Sequence, residues 1–255
     1  MTENPNPICD LHTHTEHSSD GSGTITQAVE AAARRGVTAL AITNHCPELP
    51  GHVWHDSLEK LKRMNDEAAS AAETFGLRVL VGAEIEIIDF AGNLAAPDLF
   101  IEQCDLVIAA VHWFPTIHYD GQKPVVDDYT AQRVVPLSMK MTVGAIRNPQ
   151  VDVIAHIGYA LGATKQPRKF LDEPEDYPAL YMQQIAVEAA RAGTAIEINN
   201  HCRLPRPGLL RICLDAGCTF ATGSDAHKPE DVGHLDWALK VAADLAIPPD
   251  RLLCP

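Results

Sequence analysis

The chain has 255 residues, 46% apolar and 21% charged, with a formal net charge of −14 and twelve histidines. That size and balance suit one α/β domain over residues 1–255, and the acidity disfavours an extended nucleic-acid groove, which needs Lys and Arg to neutralise phosphates. No apolar run approaches the roughly 18 residues of a membrane span. The first residues lack the basic and apolar regions of a signal peptide, and the seven cysteines are scattered without a C-x-x-C pair, so a reducing cytoplasm is the expected location.

In chain order, apolar runs bounded by polar turns predict strands centred on residues 8–11, 38–42, 78–86, 106–111, 152–155, 194–198 and 218–222. Helices alternate with them. Thr24-Ile25-Thr26-Gln27 reads as a capping box opening a helix through Arg35, and Gly36 can end it. Asp56-Ser57-Leu58-Glu59 opens a second, with Leu61, Met64, Ala68, Ala72 and Phe75 at helical spacing. Pro178 suits the first turn of a helix to Ala192. Pro207-Gly208 precedes a short helix to Ala216, and Pro229 starts another through Leu245 that takes in His234. Residues 47–55 and 158–177 read as long polar loops. Such an alternation predicts a parallel β/α barrel of seven strands or an irregular eight.

Polar residues cluster just after the apolar runs, where a barrel gathers strand ends on one rim. Asp10-Leu11-His12-Thr13-His14 follows the first run, and His45 follows the second in Thr43-Asn44-His45. Glu84 sits near the end of the third, with Glu86 as its competitor on the same face; Glu84 lies nearer the apolar core and is preferred. His112 and His156 each close a run, and Ser224-Asp225-Ala226-His227 follows the last. One such histidine is usually a hydrogen-bonded core residue, and H-x-H alone is a weak motif. Their recurrence at equivalent places reverses that reading and predicts a multi-metal site. His17, His52, His55, His118 and His201 are weaker candidates, with His52 and His55 flanking Trp54 in a loop able to close over a substrate.

The motifs at residues 10–15, 42–45, 82–84, 111–112, 155–156 and 223–227 resemble, in order and spacing, those of the PHP (polymerase and histidinol phosphatase) family. Glu197-Ile198-Asn199-Asn200 further resembles its small stand-alone bacterial phosphatase branch. The resemblance implies a distorted seven-stranded β/α barrel and three divalent ions, zinc first, with manganese or iron also suited to the donors. It implies one ion on His12, His14, Glu84 and Asp225, a second on Glu84, His112 and His156, and a third on His45, His227 and Asp20. His17 is the alternative to Asp20. Asn44 departs from the family, which usually carries Asp there, so a contact supporting the ligands is expected to be weaker.

The implied reaction is hydrolysis of a small phosphomonoester by a metal-bridging hydroxide, with Glu84 and Asp225 as catalytic carboxylates. Arg203 is the first candidate for a phosphate anchor, ahead of Lys165, Arg168 and Lys169. A phosphodiesterase or 3′–5′ exonuclease acting on short or cyclic nucleotides is the alternative. An amidohydrolase-like reading lacks the modified Lys it would need. A non-catalytic metal-binding scaffold is the alternative of another class, disfavoured because every expected ligand position is filled.

Overall fold

The structure, a computed structural model, describes residues 7–46, 58–112, 119–120, 123–124, 131–159 and 179–255. Strand and helix alternate through β1 (Cys9–Asp10), α1 (Ile25–Arg34), β2 (Ala39–Ile42), β3 (His45–Cys46), α2 (Leu58–Phe75), β4 (Arg78–Val81), β5 (Ala83–Glu86), α3 (Asp98–Ile101) and β6 (Val107–Ala110). A small antiparallel pair, β7 (Tyr119–Asp120) and β8 (Lys123–Pro124), precedes α4 (Ala131–Ile146). The chain continues with β9 (Val153–Ile154), α5 (Ala179–Ala192), β10 (Ala195–Asn199), α6 (Pro207–Ala216), β11 (Phe220–Gly223) and α7 (Asp236–Asp244).

Every pairing in the main wall is parallel: β1 with β2, β2 with β4, β5 with both β3 and β6, then β6 with β9, β9 with β10 and β10 with β11. The ring is completed just past β1, where Leu11 N–H donates to Thr222 O (2.9 Å), Asp225 N–H to His12 O (2.8 Å) and His14 N–H to Ala226 O (2.8 Å). These runs make the distorted seven-stranded β/α barrel.

The expected strand over 78–86 divides at Gly82, its first half pairing with β2 and its second with β6. A Cβ at Gly82 would lie 1.9 Å from Leu106 O, so only glycine lets the neighbouring backbone come this close. Side-chain alternation sorts the wall into two apolar layers. Leu80, Leu106, Ile108, Ala110, Val153, Ala155, Ala195 and Ala221 form a cluster made of strand residues, which is the barrel interior. Val81, Ile85, Val107, Ala109, Ile154, Ile196 and Ile198 pack outward against helical residues such as Val29, Met64, Met139, Ile185 and Leu210.

Thr24 caps α1 as the sequence predicts: its side chain accepts from Gln27 N–H, and Gln27 accepts from Thr24 N–H. The helix α4 is a departure, since no helix was expected there. Pro136 lies inside it, and its second half is buried on nearly every side, so no amphipathic period marks it. The expected helix from Pro229 is instead a short 3-10 turn followed by α7; His234 lies between them, after Gly233 at φ +76°. At the opposite end from the strand termini, the C-terminal tail crosses the barrel floor, with Leu253 N–H bonded to Phe220 O. There Cys254 lies against Cys9, Cα atoms 5.6 Å apart, within the span of a disulfide, a juxtaposition that the scattered spacing did not suggest. Among the described residues no helix is long and apolar enough to cross a membrane.

Candidate metal centre

The carboxyl ends of the strands carry a buried polar cluster directly above the apolar interior. Glu84 is its middle. Its Oε2 lies 3.4 Å from His12 Nε2, 3.6 Å from His14 Nε2 and 2.8 Å from His45 Nδ1. Its Oε1 lies 2.8 Å from His156 Nε2 and 3.3 Å from His112 Nε2. Glu86, the competing carboxylate, instead accepts from His112 Nδ1 (2.7 Å) and His112 N–H (3.0 Å), on the far side of that ring.

Asp225 Oδ1 is 3.3 Å from His14 Nε2 and 3.6 Å from His12 Nε2, which are themselves 3.1 Å apart. Asp20 Oδ2 is 3.2 Å from both His45 Nε2 and His227 Nε2. His17 turns away, with Nε2 3.9 Å from Glu67 Oε2. Three groups have donor atoms close enough to share a cation: His14 with Asp20, His45 and His227; His12 with His14 and Glu84; and His45 with Glu84 and His112. These groups take in seven of the nine expected ligands; Asp225 and His156 belong to none of them but lie beside the cluster, against His12 and His14 and against Glu84. The structure draws His14 towards the Asp20 group and His45 towards Glu84, beyond the expected partition.

Three observations test whether these residues fit metal ions. Glu84 Oε2 is buried with the nitrogens of His12, His14 and His45 at 2.8–3.6 Å, and none of these rings has an N–H aligned to donate to it. A buried carboxylate oxygen in that setting is costly unless positive charge meets it. Five of the six separations among His12, His14, Glu84 and Asp225, 3.1–3.6 Å, bracket the roughly 3.3 Å edge of a tetrahedron with bonds of about 2.0–2.1 Å. The imidazole and carboxylate donor set suits zinc, manganese or iron. The residues fit.

The electrostatics agree. Burial opposes charge throughout, yet Glu197, Glu84 and Asp225 hold His12 well above its ordinary pKa, and Glu84 with Glu86 does the same for His112. His45, against burial, is raised to about 9, chiefly by Glu84. His14 is pushed down to about 4 by burial and by the neighbouring His45 and His12. Glu84 stays well below the carboxylate range despite burial, because His12, His112 and His45 face it. Protons drawn onto these rings are those that a cation displaces when it binds.

The supporting residues were only partly foreseen. Glu197, which the sequence offered only as part of a resemblance, is 1% exposed and accepts from His12 Nδ1 (2.7 Å) through Oε1 and from His156 N–H (2.7 Å) through Oε2. Asn199 Nδ2 donates to both Glu197 Oε1 and Asp225 Oδ2, and Asn200 Oδ1 accepts from Trp237 N–H at the start of α7. The run of apolar, acidic and amide residues in β10 was the available signal: a Glu facing a barrel interior needs a partner. Asn44 Oδ1 accepts from Thr15 N–H (2.8 Å) and Thr15 Oγ1 (3.2 Å), so it braces the turn after His14; its Nδ2 finds no hydrogen-bond partner among the described residues.

Arg203 is exposed, with φ +56°, on the loop after β10. It follows Cys202, whose Sγ is 3.8 Å from Asp225 Oδ2. Lys165, Arg168 and Lys169 lie outside the described residues, as do His52, Trp54, His55 and His118.

The model of the PHP domain matches residues 10–201. A probable phosphatase of Thermoanaerobacter sp. (strain X514) is 30% identical over 256 residues, covering 96% of this chain and 89% of that protein. One from Proteus mirabilis (strain HI4320) is 28% identical, covering 96% and 88%. Among solved structures, the fold is similar to that of histidinol phosphate phosphatase from Lactococcus lactis subsp. lactis Il1403, complexed with zinc, L-histidinol and phosphate. The TM-score is 0.74 at 18% identity, covering 94% of each chain. A putative histidinol phosphatase from Listeria monocytogenes gives 0.60 at 16%, covering 88% of this chain and 97% of that one.

Proposed function

The chain belongs to the PHP domain family, and from that premise we propose that it is a metal-dependent phosphatase hydrolysing a small phosphomonoester with three divalent ions, zinc before manganese or iron. The relatives are named probable phosphatases along nearly their whole length. The observation that carries the reading is Glu84, a buried carboxylate with the ring nitrogens of five imidazoles within 2.8–3.6 Å of its two oxygens.

In this reading His12, His14, Glu84 and Asp225 hold one ion, Glu84, His112 and His156 a second, and Asp20, His45 and His227 a third. Such ions, when bound, activate water at neutral pH and offset the charge on phosphoryl oxygens. The chain's own residues prepare that chemistry. His12 gives its Nδ1–H to Glu197 and so keeps the Nε2 lone pair facing inward; Glu86 does the same for His112. Glu84, with an oxygen towards each side, spans the first two sites. Asp225 is ionised, since His12 and His14 hold it below the usual carboxylate range despite burial; Oδ1 would face the ion, while Oδ2 accepts from Asn199 Nδ2. Arg203, exposed on the loop after β10, is the group assigned to the phosphate, since a guanidinium can grip it through two parallel hydrogen bonds. The net charge of −14 fits a small substrate better than extended nucleic acid.

The test is a panel of phosphomonoesters and diesters offered to metal-reconstituted protein. Phosphate release from monoesters, abolished by a chelator, is the expected result. Preference for diesters would overturn the monoester assignment, and inertness towards both would overturn the enzyme.

A further inference from the structure

Strict alternation along β9 gives His156 the wrong direction. Val153 and Ala155 face the barrel interior, whereas Ile154 packs outward among the helices. His156 should follow Ile154 outward, yet its Nε2 is 2.8 Å from Glu84 Oε1. The reversal occurs at His156 itself, whose φ is +20°, a conformation that L residues rarely adopt. Its N–H, released from the strand ladder by that turn, donates to Glu197 Oε2.

We propose that Glu197 is a positioning residue that sets the ligand geometry of two ions at once, by orienting His12, His156 and Asp225 from one buried carboxylate. The inference rests on the metal centre proposed above. Oε1 takes the Nδ1–H of His12 at 2.7 Å and fixes which ring nitrogen faces inward. Oε2 holds the turned backbone of His156. Asn199 Nδ2 joins Glu197 Oε1 (3.1 Å) to Asp225 Oδ2 (3.2 Å), extending the same constraint to the third ligand. Room for this arrangement is built into the next strand. A Cβ at Gly223 would lie 2.3 Å from Glu197 Oε1 and 2.6 Å from His12 Cβ, so glycine there leaves space for the pair. Three N–H donors converge on Glu197, and a glutamine would meet one of them with its own amide hydrogens.

The experiment is a zinc titration of metal-free protein against a chelating competitor, on the unaltered chain and on Glu197→Gln and Glu86→Gln. Glu197→Gln should weaken two ions together by about 10- to 100-fold and leave the third unchanged, while Glu86→Gln weakens one. Equal weakening of all three ions, or of none, overturns the positioning role. If Glu197→Gln fails to fold by circular dichroism, Gly223→Ala takes its place; it keeps every polar group, displaces the pair and should cause the same two-ion loss. An unaltered chain that binds at most one ion would instead defeat the metal centre, an outcome visible before any variant is compared.

Discussion

Towards the starts of the strands Leu80, Leu106 and Val153 are buried among other apolar side chains. A few residues further along the strands, or just past their ends, Glu84, His156 and Asp225 are buried as fully, and their partners are imidazoles and carboxylates. Burial alone therefore does not distinguish a core from a site. At the floor, removing apolar surface from water stabilises the fold. At the mouth, the same exclusion of water raises the cost of every charge, and only opposed charges or bound cations offset it. The floor serves stability and the mouth gives up stability for chemistry.

Substitutions should separate the two regions. Glu84→Gln carries the largest expected effect: two ions lost and kcat/KM reduced at least about 1000-fold, equivalent to about 4 kcal/mol. Elemental analysis and steady-state kinetics read both, and two retained ions would mean that Glu84 spans nothing. Leu80→Ala, four residues before Glu84 on the floor side, should lower unfolding free energy by about 2–5 kcal/mol in denaturant titrations with zinc affinity unchanged. A changed affinity there would blur the boundary between the regions. Arg203→Ala should cut kcat/KM by about 10- to 100-fold, or about 1.4–2.7 kcal/mol, with metal content intact. Unchanged turnover would shift attention to Lys165, Arg168 and Lys169.

The smallest effect is in pH. His45 has its pKa raised from 6.5 to about 9, so in metal-free protein its stabilising contribution is fully present below pH 6.5 and lost as pH rises through 9. Zinc needs the deprotonated ring and binds more tightly over that range. The gap in melting temperature between zinc-loaded and metal-free protein should therefore widen from pH 6.5 to 9. Parallel curves would show that ions and protons do not compete at the mouth.

The sequence carried most of the barrel and the positions of the ligand candidates, because both follow from local pattern: apolar runs define strands, and polar residues just beyond them reach the rim. What it hid depends on contacts distant in sequence. Glu197 meets His12 across 185 positions, and nothing near either residue announces the pairing. The turn at His156 breaks the alternation that strand reading assumes. Gly82 looks like a weak point in one strand until Leu106 O is found against it. The helix α4 was concealed by Pro136 and by burial without a period. Cys9 and Cys254 lie 245 residues apart and meet only when the tail crosses the floor.

The central claim is that the buried carboxylate of Glu84 is there to bind cations. An anomalous-diffraction map of zinc-soaked crystals tests it most directly. The account predicts three peaks, one beside each oxygen of Glu84 and a third among Asp20, His45 and His227. Peaks elsewhere with none against Glu84, or a Glu84 carboxylate ringed by the same imidazoles and no metal at saturating zinc, would contradict it.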